Sequence, residues 1–273
     1  MIPLPQPTKI VEKKQNLGVF VIEGLYPGYG ITIGNSLRRV LLSSLEGAAV
    51  TQVKIKGVEH EFSTLPGVLE DVIMILLNLK QMRLRLYGEE PQTATLKIKG
   101  EKEVKASDFK FPASLELANA DLSIAHLTEK SAELEMEIKI EKGIGYVPAE
   151  ERKKEKQEIG SIALDAIFAP VRRVSSKVEN MRVGERTDFN RLTLEVETDS
   201  TLTPEEAFYQ AANILVKQLE AIESGVKEAA EAHSLATRQE KASRQEKKGT
   251  KGISEKKVKK VAARTVKKKK AEK

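Results

Sequence analysis

Three glycines, Gly28, Gly30 and Gly34, follow a run of strand-forming residues and precede a leucine-rich segment. In that order a backbone loop opening a helix can cradle a phosphate. The spacing argues against it. A dinucleotide fingerprint needs G-x-G-x-x-G, whereas three residues separate Gly30 from Gly34. The phosphate-loop signature closes on G-K-[ST], and here Asn35 and Ser36 follow Gly34. The glycines read instead as places for positive φ and for close packing of a turn. Metal chemistry has no better support. His60, His126 and His233 lie far apart in sequence, and there is no cysteine. The six aspartates never occur as D-x-D, so the paired carboxylates of a two-metal nucleotidyl-transfer centre are missing. No serine sits in a nucleophile-elbow setting. These residues build no self-contained active site.

The chemistry that remains is the pair Arg38 and Arg39, in the stretch 26–50 (YPGYGITIGNSLRRVLLSSLEGAAV). Asn35 or Ser36 suits a helix N-cap, because a short side-chain oxygen takes an orphan N–H. Gly47 suits the position just past the helix end. On such a helix Leu37, Val40, Leu41, Leu42 and Leu45 spread over roughly 200°, about twice the arc that one sheet covers. The surplus calls for a partner chain. Arg38 falls inside the apolar arc and needs a buried partner, since an uncompensated buried charge is costly. Arg39 and Ser43 lie opposite the arc. By chemistry alone Arg39 is as well read as a solvated surface residue.

The elements that must carry these residues form a mixed pattern. A strand is predicted at 17–25 (LGVFVIEGL), ahead of the glycine loop and helix. VTQVKIK (50–56) alternates, and Gly57 turns it into a second strand at 58–62, a hairpin holding His60 and Glu61. Apolar residues at helical spacing predict a helix over 68–80, ending at Lys80. Further strands are predicted at 82–87, 93–99, 121–126, 132–142 and 192–198, with an exposed charged loop at 150–158 (EERKKEKQE). Thr203, Pro204 and Glu206 spell a capped helix start with a capping box. Phe208, Ala211, Ala212, Leu215, Leu219 and Ile222 then form a stripe. It serves equally well as an ordinary core face or, through its small alanines, as a helix–helix interface. The class is α+β, mostly antiparallel strands with a few long helices.

The formal charge of +6 conceals two opposite regions. Residues 226–273 hold 17 Lys+Arg against 6 Glu, or +11; residues 1–225 hold 29 against 34 acids, or −5. From about residue 247 onward the basic block lacks the apolar surface to fold and is expected to be disordered; the segment before it is rich in helix formers. The body of about 225 residues is long enough to bury some 70% of its unfolded surface. The N-terminus has no apolar core of signal-peptide length, and no segment approaches the ~20 apolar residues of a membrane span. Together with the absence of cysteine, this predicts a soluble cytoplasmic protein.

Five collinear segments resemble the α subunit of bacterial DNA-directed RNA polymerase: GITIGNSLRRVLLSS (30–44), GVEHEFSTLPGVLEDVIMILLNLK (57–80), KGIGYVPAEER (142–152), PVRRVSSKVENMRVGERTDFNRLTLEVETDSTLTPEEA (170–207) and QLEAI (218–222). The resemblance covers about 16–222. It implies a two-part N-terminal fold: a dimerisation subdomain of helices on an antiparallel sheet (1–46 plus 177–225), an inserted, mostly β subdomain (47–176), and the lysine-rich tail (226–273). It also implies a non-catalytic homodimer that scaffolds the β and β′ subunits of a nucleotidyltransferase, with no cofactor of its own and the catalytic Mg²⁺ held by β′. The dimer would form through Leu37, Leu41 and Leu45 of the first helix and Phe208, Ala211, Leu215 and Leu219 of the last. Arg39, the second arginine of the family's L-R-R motif, and Ser43 would contact β. His60, Glu61, Lys80, Arg182 and Arg186 would lie on the large-subunit surface.

The helix-hairpin-helix sequence of the family's C-terminal DNA-binding domain is not found; the sequence ends in Lys267, Lys268, Lys269, Lys270 and AEK. Recognition of promoter elements by a folded domain is therefore not expected. The tail reads either as a solubilising segment or as a nucleic-acid binder acting through charge alone. A free-standing nucleic-acid-binding protein is a competing reading, but the acidic body lacks a basic, aromatic-studded face. An enzyme using the glycine loop is another, and it lacks an identifiable lysine or acid partner.

Overall fold

The computed structural model describes residues 2–152, 160–230 and 233. In chain order the elements are β1 (Lys9–Lys13), β2 (Leu17–Leu25), α1 (Tyr29–Ser43), β3 (Glu46–Ile55), α2 (Val72–Lys80), β4 (Leu84–Leu86), β5 (Gln92–Lys99), β6 (Lys102–Lys105) and β7 (Leu115–Leu117). They continue with β8 (Ser123–Leu127), β9 (Glu133–Ile144), β10 (Tyr146–Val147), the single turn α3 (Ala149–Arg152), β11 (Ser161–Ala163), β12 (Ala166–Ile167), β13 (Val171–Val183) and β14 (Arg186–Thr198). A last helix, α4, opens at 204. The chain divides into two compact units, Met1–Leu215 and Val216–Lys273. The described residues 216–230 of the second unit are helical and exposed. The mixed antiparallel architecture is the α+β class read from the sequence.

Among the described residues the first unit has two large sheets, each with its own hydrophobic core, two two-stranded sheets (β10-β12 and β6-β8) and a small third cluster of Ala49, Ala166 and Phe168. The first large sheet runs β1-β2-β14-β13, all antiparallel, and α1 and α4 pack on it. Its core joins Phe20, Leu25, Leu37, Leu41 and Leu45 to Leu192, Leu194, Val196, Ala207 and Ala211. Phe208 stacks on Phe20 with centroids 4.6 Å apart. The second sheet runs β5-β9-β3-β4-β7, with β11 also on β3, and α2 covers it. Its core holds Val53, Ile55, Ile75, Leu79, Leu96, Ile138 and Ile140. The capping box stands: Thr203 Oγ1 accepts from the Glu206 N–H at 3.2 Å, and Glu206 Oε2 accepts from the Thr203 N–H at 3.2 Å.

Several expectations need correction. The helix α1 begins at Tyr29, not at an Asn35 or Ser36 cap. Its N-cap is Gly28, held left-handed at φ 86°, and Ser36 is mid-helix with its hydroxyl donated to the Thr32 carbonyl. Gly47 does not end the helix; it lies in β3, where a Cβ would fall 1.9 Å from the Phe168 carbonyl oxygen. The hairpin expected at 58–62 is absent, because β3 has no free side. β9 pairs along one edge, and β4 and β11 share the other. The segment instead crosses to α2, with the Val72 N–H donated to the Ser63 carbonyl. The helix expected from 68 starts at Val72 behind an Asp71 cap, since Val68 bridges to Leu127 of β8.

Most of the residues expected at a dimer seam are buried in the single chain. Leu37, Leu41, Leu45 and Ala211 are buried within their own chain, and Phe208 and Leu215 pack partly against the same core. One sheet face and α4 cover Leu37, Leu41 and Leu45, whereas Leu42, in the same expected arc, stays exposed. Leu219, by contrast, is 64% exposed. Arg38 is exposed and makes no salt bridge among the described residues, so the buried partner expected for it is not found. The tail residues Lys267–Lys270, and the disorder expected around them, lie outside the described residues, as does most of the charged loop at 150–158.

Candidate functional site

Glycine seats α1. The Gly28 N–H donates to Asn190 Oδ1 at 2.9 Å, and Asn190 Nδ2 donates to Asn180 Oδ1 at 3.2 Å. A Cβ at Gly30 would meet Val178 Cγ1 at 2.8 Å, and one at Gly34 would meet Leu192 Cδ1 at 2.8 Å. Gly30, Gly34, Leu37 and Leu41 form the buried stripe, a helical face lying directly on β13 and β14. Each interior glycine costs a helix about 1 kcal/mol relative to alanine. Burying Leu37 and Leu41 recovers about 1.5–3 kcal/mol apiece. The seat turns Ile31, Arg38, Arg39, Leu42 and Ser43 outward. The Ser43 hydroxyl donates to the Arg39 carbonyl at 2.8 Å, fixing the last turn, while the Arg39 guanidinium makes no salt bridge among the described residues.

A second surface surrounds α2. This helix is apolar almost all round: Val72, Ile75, Leu76 and Leu79 face the core, while Met74 and Leu77 are 48% and 46% exposed. Asp71 Oδ1 caps it by accepting from the Met74 N–H at 2.9 Å. Phe62, 75% exposed, and Leu69 add to the same apolar display. A groove of about 510 Å³ is lined by Glu61, Phe62, Ile73, Leu77, Lys80 and Asp165, among others. Lys80 Nζ lies 2.7 Å from Asp165 Oδ2. That ammonium, helped by the Ala149 N–H at 3.0 Å, holds the Asp165 carboxyl below its usual range. His60 is exposed beside the groove, its carbonyl accepting the Ser63 hydroxyl at 2.6 Å.

The loop carrying His60 and Glu61 is strapped to β8 by groups the sequence reading left unassigned. His126 Nδ1 lies 2.5 Å from Glu70 Oε1, and the His126 N–H donates to Glu70 Oε2 at 2.7 Å. The Leu69 N–H donates back to the His126 carbonyl at 2.9 Å. The hydrogen bond to Glu70 raises the imidazole pKa. Partial burial pushes Glu70 up, but its bonds to His126 outweigh this, leaving the carboxyl below its usual range.

The helix face and the groove are neighbours. A Cβ at Gly145 would lie 3.5 Å from the Ser43 carbonyl oxygen, and the next side chain, Tyr146, is close enough to Asp165, the partner of Lys80, to help lower its carboxyl. Ile144, Tyr146 and Ile167 are exposed along this path. The sequence reading passed over them, although Tyr146 stands in the KGIGYVPAEER segment it had singled out. Arg182 and Arg186 belong to a third place, the tip of the β13–β14 hairpin. Arg186 forks onto Asp188 at 3.1 and 2.7 Å and lies over the Tyr26 and Phe189 rings at 5.6 and 5.2 Å. Arg182 Nε donates to the Gly184 carbonyl at 2.8 Å. Both arginines brace the tip, and the pairing lowers the Asp188 pKa.

The geometry of these described residues is one of exposed surfaces, and comparison with known proteins supplies the family. A family profile described as the RNA polymerase Rpb3/RpoA insert domain matches residues 53–169. The DNA-directed RNA polymerase subunit alpha of Symbiobacterium thermophilum is 51% identical over 223 residues, covering 81% of this chain and 70% of that protein. The chain belongs to the family of DNA-directed RNA polymerase α subunits. The α subunit of Oceanobacillus iheyensis is 45% identical over 243 residues, 88% of this chain and 77% of that protein. That of Carboxydothermus hydrogenoformans is 52% identical over 209 residues, 77% and 66% respectively. Against these three α subunits the chain spans between 66% and 77% of their length. The matched insert-domain segment contains α2, His60, Glu61 and Lys80; Arg39 and Ser43 lie before it. No helix among the described residues is long and apolar enough to cross a membrane.

Proposed function

We propose that this chain is a cytoplasmic, non-catalytic assembly subunit: two copies pair and together recruit the large subunits β and β′ of RNA polymerase, with the catalytic Mg²⁺ held by β′. The observation that carries the reading is apolar side chains left uncovered in the single chain. In the second unit Val216, Leu219, Ile222 and Val226 are all more than half exposed, and on α1 Ile31 is 60% exposed. Repeated exposed apolar residues on a helix mark an interaction face. Copies of the chain meet through each of these sets of residues, and Leu37, Leu41 and Leu45 hold α1 in place from within. The outward Arg39–Ser43 turn is the β contact, and the Glu61–Lys80 groove, with His60 at its rim, is a large-subunit surface. Arg182 and Arg186 shape the hairpin tip, which serves as a separate large-subunit contact.

Co-expression with β and β′ followed by size exclusion tests the reading. A 2:1:1 complex containing this chain is expected; a chain that elutes alone while β and β′ remain unassembled overturns it. Arg39→Ala is expected to leave the homodimer intact and to weaken recovery of β. The +11 charge of residues 226–273 favours a second, compatible role, in which the tail holds nucleic acid through Lys267–Lys270 and their neighbours. The affinity should then fall with salt by a log–log slope of about −0.9 per phosphate neutralised, and deleting 226–273 should remove that term. Unchanged DNA affinity of the truncated assembly at low salt would sink this role.

A further inference from the structure

The second large sheet carries its hydrophobic core on one face, where Ile55, Leu96 and Met136 are buried. Side chains alternate along a strand, so the residues between these point to the other face. There the strand register sets two rows of side chains next to each other. Lys54 of β3 lies opposite Glu137 of β9, Glu137 lies opposite Thr95 of β5, and Thr95 bridges to Lys110. In the next row the Lys56 N–H donates to the Glu135 carbonyl, and Glu135 lies opposite Lys97 of β5. Neighbouring strands are about 4.8 Å apart, so the row from Lys54 to Lys110 is roughly 14 Å long. These residues line a groove of about 570 Å³ that also touches Gly57 and Gly160. It lies on the face away from the core, whereas the Glu61–Lys80 groove lies beside α2.

The groove is electropositive. Four lysines line it, Lys54, Lys56, Lys97 and Lys110, against two carboxylates, Glu135 and Glu137. Glu135 is shared: Lys56 Nζ lies 3.0 Å and Lys97 Nζ 3.2 Å from its Oε2, so one carboxylate answers two cations. Those ammoniums, Lys56 foremost, hold the Glu135 carboxyl below its usual range. Glu133, 3.9 Å from Lys97, is itself held by Lys99 at 3.1 Å. Lys110 is exposed and makes no salt bridge among the described residues. A solvated face laced with ion pairs balances its charges; this one keeps positive charge in surplus over a concave floor. The surplus calls for an anion. No aromatic ring lines the groove for a base to stack on, and the two glutamates in its floor repel a continuous phosphodiester. An extended peptide fits better. Its side chains recur on one face every ~7 Å, so carboxylates can stand over the lysines while small residues pass over the glutamates.

We propose that this groove docks an extended acidic segment of a partner protein, with Lys97 and Lys110 as its main anchors. Fluorescence anisotropy of a fluorescein-labelled peptide of alternating glutamate and serine, titrated with the full chain at low salt, reads the binding. Lys97→Glu with Lys110→Glu turns two attractions into repulsions and should weaken it about tenfold. Lys14→Glu with Lys177→Glu, both exposed and outside the groove, makes the same change in net charge and leaves the basic extension as it is. This control should keep the affinity within about twofold. Equal losses in the two double variants overturn the proposal, because net charge would then be the cause. A parent chain that does not bind the peptide overturns it as well. An oligodeoxythymidine of matching length is the second probe, and its affinity should be the same for both double variants. A loss of oligonucleotide binding confined to the groove variant would assign the groove to nucleic acid and overturn the acidic-peptide reading. If circular dichroism shows the groove variant unfolded, Lys97→Gln with Lys110→Gln decides: about threefold weakening is expected, and an unchanged affinity overturns the proposal.

Discussion

His126 and Glu70 show how two residues far apart in sequence can tie a loop, the one that carries Glu70, to a strand. The imidazole pKa is raised, so its contribution is complete below the unfolded imidazole value of about 6.5 and is lost as pH rises through the folded value. The Glu70 carboxyl is lowered, so its contribution is complete above about 4.3 and is lost as pH falls through the folded value. The strap is therefore strongest between those two ordinary values. Glu103 faces the other ring nitrogen at 3.9 Å and adds to the shift in the same direction. A titration of the imidazole by NMR should find its pKa above the ordinary value, and Glu70→Gln should bring it most of the way back. An unchanged midpoint in Glu70→Gln would remove Glu70 as the cause. Arg39 is legible in the sequence as a charge opposite an apolar arc. Arg186 is not, because its stacking on Tyr26 joins residues 160 positions apart.

At the scale of the element, α1 carries the lesson in its glycines. A valine at Gly34 would drive side-chain atoms into Leu192, itself fully buried. Overpacking of this kind costs about 1–3 kcal/mol. Gly34→Val should lower the melting temperature measured by circular dichroism, whereas Thr32→Ala, on the exposed side of the same helix, should leave it nearly unchanged. The opening of α4 gives a second measure. Thr203→Ala removes the capping oxygen and should cost about 1 kcal/mol in a denaturant titration. The capping box and half of the described strands could be read from alternation and local chemistry; β13, with few buried positions, could not. The start of α1 could not, because interior glycines that disfavour an isolated helix are stabilised here by a sheet lying within van der Waals contact. The absent hairpin at 58–62 has a similar origin: alternation predicts strands, and the pairing already made by β4, β9 and β11 decides which of them find a partner.

Across the whole molecule, buried and exposed apolar residues should answer differently to a charge. Leu41 is fully buried, so Leu41→Glu strands a carboxylate in the core and should unfold the first unit or lower its stability severely. Leu219 and Ile222 are exposed in the single chain, so Leu219→Glu with Ile222→Glu should leave the melting temperature close to that of the parent chain at low concentration. The same double variant should convert the proposed dimer to a monomer in analytical ultracentrifugation. A dimer that survives it would place the seam elsewhere. In the proposed scaffold this variant should also fail to bring β and β′ together, because one copy alone offers a single set of docking surfaces.

Residue order alone carries the α+β class, seven of the fourteen described strands, the capped last helix, the acidic body with its basic extension and, through five collinear segments, the family. These depend on local periodicity, capping chemistry and runs of residue types, which one chain displays in order. Only the tertiary structure decided that Gly30 and Gly34 are a helix seat, that Leu37, Leu41 and Leu45 are core, and that Ser43 lies next to the strand leading to Asp165 and Lys80. Burial is a property of what covers a residue, and that cover comes from β13, β14 and α4, more than 120 positions further along the chain.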